Sequence, residues 1–589
     1  MQTTLSSPPH MTRKDIMAAL GIALALVLGT GLLVALHTTG RFLRLDLLVP
    51  LLFAVPVVYL ADRLGRNGAL PVSIPGRRGT AAVVILAIFM VVSLFSSAVF
   101  HNWFFFLDWT SAPAGKPPLS IVFVMLATLL TPFLLSHRRH IWILTLLITA
   151  GSIAYAFHSL IHATGGQALY RDDHASMMFR LWEVSQTFPQ LLNYIPYWNA
   201  GVVHYTGTAA GLNILGLLIA PLWPFMHVQT GYTYVIGTVY ILLIPFLAAA
   251  SLRAIGAGRV AMCCAALLAL GISRQYFLWF LHFGTIGACL ASFFVLPLLA
   301  CLYRVLWLNK RSMWLGTGIV MATACLLAWP LAALMAVMVG SAVLVNFRLW
   351  SVRKILFLAA CAAAILIIYL PVLLMLGAEG DLLFGFLFQS KGVPATAGAA
   401  VAPASVVSWW STTMPFLLEG WNKLLEHLRD ANPLIVFLGI AGIAIVPQRS
   451  IRWLCLPPIV GLALLASWGS VFKPNMQLAR MAIPMCFIAI IPAALAIERL
   501  LLTSHYRLAF LRAALLALLL LTGWSVSRIY LGQGAAPYTF ITAENTGRLV
   551  DRIRKETPSG TRALFAGKTL HTFGDHGHIA LLPYMTGIE

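Results

Sequence analysis

YRDDHASMMFRLWE, residues 170–183, and the NYIPYWNAGVVHYTG that follows at 193–207 decide how this chain is read. On either side the sequence is a succession of apolar runs of about 17 to 25 residues, the length that crosses a bilayer. A segment with adjacent carboxylates, histidines, arginines, aromatics and a Pro-Tyr-Trp-Asn turn has no part in spanning. It reads as an active-site loop.

Composition agrees with a polytopic membrane protein: 60% of residues are hydrophobic and 10% are charged. The first apolar run, Ile16 to Leu36, is too long for a cleaved signal and is succeeded by many others, so it reads as a retained anchor. The net charge of +21 lies in short Lys/Arg clusters between apolar runs, without a basic arm. That pattern fits the positive-inside rule and speaks against nucleic acid. The eight cysteines lie within or beside apolar segments with no Cys-x-x-Cys pair, as expected of small core residues rather than zinc ligands or disulfides.

Arg13 and Lys14 put the N-terminus in the cytoplasm, and Arg63, Arg66, Arg77, Arg78 and the turn His137-Arg138-Arg139-His140 mark later cytoplasmic loops. The loop from Ala163 is therefore external. Both 209–227 and 232–252 look apolar enough to span, but two crossings would invert every later basic cluster. Segment 209–227, broken by Pro221 and Pro224, is therefore expected to lie in the outer leaflet without crossing. Further spans follow at 232–252, 259–273, 284–306, 312–328, 330–347, 354–376, 433–447, 453–471, 480–500 and 508–525, for a total of about fifteen with the C-terminus outside. Only Asp15, Asp62 and Glu498 among the acidic residues then fall inside. An external loop at 376–431 holds a low-complexity stretch and WNKLLEHLRD, which reads as a lid and an interfacial helix. The C-terminal segment 526–589 shows a helical pattern at NTGRLVDRIRKE and a strand-like RALFAG, and is small enough to belong to a larger fold.

In the loop at 170–183, Asp172 and Asp173 precede an amphipathic pattern. One aspartate suffices as a helix cap, which leaves the second for chemistry. Carboxylates at a membrane surface suit a general base, or a divalent ion that holds a phosphate. Glu183 falls on the same face as Asp172 if the helix is continuous, and His174, Tyr197, Trp198, Asn199 and His204 complete the polar set. External cations that would hold a lipid phosphate are Arg274, Lys473 and Arg480, joined by His282 and Gln477.

An acidic pair in the first large external loop, then a juxtamembrane helix, then Pro-x-Trp-Asn (Pro196, Trp198, Asn199) resembles the GT-C superfamily of membrane glycosyltransferases. The resemblance covers about residues 141–525. It implies an all-α polytopic fold with a GT-C-like core at 141–525, external loops 163–230 and 376–431, a four-helix addition at 1–140, and a small α/β extracytoplasmic segment at 526–589. It also implies a polyprenyl-phosphate sugar donor, a glycan, lipid or protein acceptor, location in the inner (cytoplasmic) membrane, and an aspartate that activates the acceptor or binds metal. Asp172 and Asp173 match the acidic motif. Many members carry another acidic residue in the next external loop, whereas 272–290 offers only Arg274 and His282. A metal-free base is therefore expected, with Mg²⁺ or Mn²⁺ at Asp172 and Asp173 as the alternative.

Two other readings compete. A flippase or transporter of lipid-linked sugars usually has ionisable residues at mid-membrane or inverted repeats, and neither is evident here. A noncatalytic subunit of an envelope polysaccharide assembly would keep the scaffold without depending on the aspartates.

Overall fold

The computed structural model describes residues 141–164, 169, 173–187, 194–195, 202–203, 212–378 apart from 328 and 330, 406–502 apart from 447, seven positions between 512 and 523, and 544–558 with 561. The expected spans in 1–140, the low-complexity stretch, RALFAG and most of 508–525 lie outside these residues.

The described chain is helical: α1 (Ile141–Thr164), α2 (Asp173–Thr187), α3 (Leu212–Ile219), α4 (Val228–Thr238), α5 (Ile244–Ala254), α6 (Arg259–Leu270), α7 (Ile286–Leu306), α8 (Met313–Leu327), α9 (Ala332–Val345), α10 (Val352–Ala378), α11 (Val406–Asp430), α12 (Pro433–Ile445), α13 (Arg449–Leu464), α14 (Ala482–Leu502) and α15 (Glu544–Glu556). A two-residue hairpin, β1 (Tyr194–Ile195) against β2 (Val202–Val203), is antiparallel with Tyr194 opposite Val203. A wide π turn at Val239–Leu243 joins α4 to α5 in one rod and accommodates Pro245, whose ring would crowd the carbonyl four residues back in a regular helix.

Among the described residues six stretches are long and apolar enough to cross a membrane. The helices near 259–270, 313–327, 332–345 and 434–445 are shorter apolar rods. Helix α14 is central, flanked by α6, α7, α12 and α13. The α7 span is 83% buried and the α10 span 11%, so α10 stands at the edge. Its exposed Leu366, Ile367, Ile368 and Leu370 face where lipid belongs. Helices α12 and α14 approach closely because Gly442 lies against the Pro492 carbonyl with no space for a Cβ, the small-residue contact expected when no hydrophobic force drives helices together in lipid.

Contacts sort the helix ends into two groups. At one end the Arg259 guanidinium lies 5.0 Å over Trp142, Gly258 N–H donates to Glu498 at 3.2 Å, and Arg499 donates to the Ile445 carbonyl at 3.1 Å. There too Lys354 Nζ donates to Leu306 and Leu349 carbonyls at 2.7 and 2.9 Å, and Arg452 donates to Val446. Lys354, Arg452 and Arg499 satisfy carbonyls that helix C-termini leave open, a local reason for basic residues beyond membrane sidedness. At the other end α2, the turn 271–285, the α11–α12 junction and 465–481 meet.

Helix α1 starts at the basic end, α2 lies at the opposite end, and the α4–α5 rod returns to the basic end. The chain between α2 and α4 therefore crosses no net time. Helix α3 has eight residues, about 12 Å, too short to span.

Candidate functional site

The site is built on the N-terminus of α2, whose first residue is Asp173. Asp173 N–H donates to the Phe283 carbonyl at 2.9 Å, and Thr285 Oγ1 donates to Asp173 Oδ2 at 3.3 Å. His174 is buried, with Nε2 3.0 Å from the Leu281 carbonyl and Nδ1 2.7 Å from the Tyr232 hydroxyl. The carbonyl can only accept, so Nε2 carries a proton, and Nδ1 pairs with the Tyr232 hydroxyl. Gly284 permits this docking: its φ is +77°, and a Cβ there would stand 2.5 Å from the His174 nitrogen. The 281–285 turn thus clasps the first turn of α2.

The turn before it is a second wide helix turn, Leu278–His282, which presents Trp279. The Arg480 guanidinium stacks 4.5 Å over the Trp279 ring. Arg480 lies within the electrostatic reach of Asp173, and its Nε is buried without a hydrogen-bond partner. Stacking leaves the guanidinium edge for an in-plane acceptor. From two turns along α2 the Arg180 guanidinium joins this field: burial weakens its hold on the proton and Asp173 partly restores it.

A third wide turn, Leu465–Gly469, packs on the Leu478–Met481 segment that carries Arg480 and receives α11. His427 of α11 lies 3.2 Å from the Ala466 carbonyl, and the Trp468 indole lies against Gly420 with no space for a Cβ. Helix α11 runs from Val406, well before the expected WNKLLEHLRD. Its junction is locked by Asn432, buried, which donates to the Gly271 carbonyl at 2.8 Å while capping Leu434 N–H at 2.9 Å.

Of the residues expected at the site, Asp173, His174 and Arg480 come together. Lys473 Nζ sits 5.7 Å over Phe472, and Gln477 is exposed with a left-handed backbone, φ 51°. Arg274 and His282 bracket the turn after α6, and their side chains are outside the described set. Asp172, Tyr197, Trp198, Asn199 and His204 also lie outside it, although the β1–β2 register puts 196–201 between the two strands. Because α2 starts at Asp173, Glu183 is ten residues from the described carboxylate, about 15 Å along the axis and on another face. Glu183 is 5% exposed with Oε1 unpartnered, and burial pushes its carboxyl up to about 7. Sequence reasoning missed Thr285, Trp279, Tyr232 and Gly284. Phe-Gly-Thr before an apolar run is a helix-start signal that could have marked Thr285.

A divalent ion would need more than the described residues at this end of α2 offer. Among the described residues no group of three His, Cys, Asp or Glu side chains is placed to hold a metal, and His174 is engaged by Tyr232 and Leu281. Asp173 with a threonine hydroxyl is a poor set for Mg²⁺ or Mn²⁺.

No family model and no curated protein matches the chain. It resembles in outline the oligosaccharyltransferase of Archaeoglobus fulgidus in complex with Zn and sulfate, at a TM-score of 0.46 and 16% identity over 70% of this chain and 56% of that one. The archaeal oligosaccharyltransferase AglB from Archaeoglobus fulgidus, with an inhibitory peptide and a dolichol-phosphate, gives 0.42 and 13% over 71% and 58%. The chain thus matches a little over half the length of these proteins.

Proposed function

We propose that the protein is a membrane glycosyltransferase that moves a sugar from a polyprenyl-phosphate donor to an acceptor hydroxyl at the outer membrane face, with inversion. One observation carries the reading: a carboxylate clasped at a helix start shares one end of the bundle with a stacked arginine whose Nε lacks a partner. Asp173, with Asp172 beside it in sequence, takes the acceptor proton as the acceptor oxygen bonds to the anomeric carbon. The bond from that carbon to the phosphate oxygen breaks, and its electron pair leaves with the phosphate, held by Arg480 with Lys473 and Arg274 as further cations. A base of this kind typically contributes about 10²- to 10⁴-fold in rate. Tyr197, Trp198, Asn199, His204 and His282 belong to the substrate side in this reading, whereas Glu183, ten residues along α2 from Asp173, does not. The inner membrane, with the N-terminus cytoplasmic and the C-terminus extracytoplasmic, is the location it requires.

The test uses membranes supplied with a panel of short-chain polyprenyl-phosphoryl sugars. Transfer should be lost, with normal protein levels, in the Asp172→Asn/Asp173→Asn double variant, and should persist in the native protein with EDTA. Full transfer by the double variant would overturn the reading and favour a noncatalytic subunit.

A further inference from the structure

Thr285 is the residue immediately before α7, the position where threonine ordinarily accepts a hydrogen bond from the helix's first turn. Here it makes no side-chain cap; its hydroxyl instead points to Asp173 Oδ2. The same three-residue turn accepts from the Asp173 N–H through Phe283 and abuts His174 through Gly284. The chain therefore gives up a cap at the start of a buried span and directs that hydroxyl to a carboxylate 112 positions away.

We infer that Thr285 is a positioning residue for the Asp173 carboxylate: its hydroxyl donates to Oδ2 and fixes the carboxylate plane for transfer of the acceptor proton. This rests on the reading of Asp173 as the base. A hydroxyl that donates to a carboxylate favours the ionised form, which keeps the group ready to accept a proton at neutral pH. A threonine suits this better than a lysine or arginine would, because a neutral donor orients the oxygen without an ion pair's hold on the lone pair needed in the reaction. The charged and titratable groups facing Asp173 among the described residues are Arg180 and His174 of α2, Tyr232 of α4 and Arg480. None of these is altered when Thr285 is changed.

Infrared difference spectra of the purified protein in lipid nanodiscs, recorded against pH, test this without a substrate. The carboxyl band that disappears in Asp173→Asn reports Asp173. In Thr285→Val its titration midpoint should move up by as much as about one pH unit, and Thr285→Ser should return it to the native value. If Thr285→Val is not recovered, Thr285→Ala serves for the same comparison. An unchanged midpoint in the hydroxyl-free variant overturns the inference whatever the activity. A shifted midpoint together with full transfer by the Asp172→Asn/Asp173→Asn protein would leave Thr285 on Asp173 and remove the base reading instead.

Discussion

Glu183 is 5% exposed, and a carboxylate so far from water keeps its proton longer than it would in the unfolded chain. Folded, it titrates near 7, against an ordinary value of about 4.3. Below that ordinary value it is neutral in both states and costs nothing. As pH rises from about 4.3 to about 7 the unfolded chain loses the proton first, so stability falls across this window and stays lower above it. Glu183→Gln should flatten the fall and, at pH 8, raise the unfolding free energy by on the order of 2–3 kcal/mol, seen as a higher thermal midpoint in detergent. Equal pH slopes for the two proteins between pH 5 and 8 would refute it. Asp173 and Arg480 were visible in the sequence as charges in a chain that has few. Their settings were not, because Thr285, Phe283 and Trp279 reach them across more than 100 positions, and no local spacing encodes such contacts.

At the scale of elements, the turn after α6 and the start of α12 are one unit. Asn432 joins them by donating to Gly271 while capping Leu434, and Asn432 N–H donates to the Ile272 carbonyl at 2.9 Å. Asn432→Ala removes the cap and leaves a buried carbonyl without its donor, so a loss of about 2–3 kcal/mol is expected. Asn432→Asp keeps the cap oxygen but loses the donor, and should fall between them. Thermal unfolding of the three proteins in detergent would check the order, and an Asn432→Ala protein as stable as the native one would break the link. Among the described residues, apolar runs placed the six long apolar stretches and the four shorter apolar helices within a few residues, because burial in lipid demands near-continuous hydrophobicity. Helix α11 was legible only at its end: Leu424 and Leu428 announce a face there, whereas Pro415 and the polar 411–413 hide the continuation to Val406. Of the three wide turns only the first has a local signature, Pro245; those at Leu278–His282 and Leu465–Gly469 have none.

Over the whole molecule the arrangement depends on an even number of crossings between α2 and α4. The opposite parity would put Tyr232 and His174 at different ends of the bundle, yet they are 2.7 Å apart. It would also separate Trp142 from Arg259, whose guanidinium lies 5.0 Å over the Trp142 ring. We propose the sidedness from charge: the end where Lys354, Arg452 and Arg499 meet helix C-termini would face the cytoplasm, and the end with Asp173 and Arg480 would face out. The two sides can be told apart in a variant whose eight native cysteines have been replaced. His227→Cys and Gln477→Cys should react with a membrane-impermeant maleimide from outside, whereas Arg253→Cys and Lys310→Cys should react only after permeabilisation. Labelling of only one of His227→Cys and Gln477→Cys would break the placement of both at the same end of the bundle. Reversal of all four would put the carboxylate on the cytoplasmic face, where an acceptor outside the cell could not reach it.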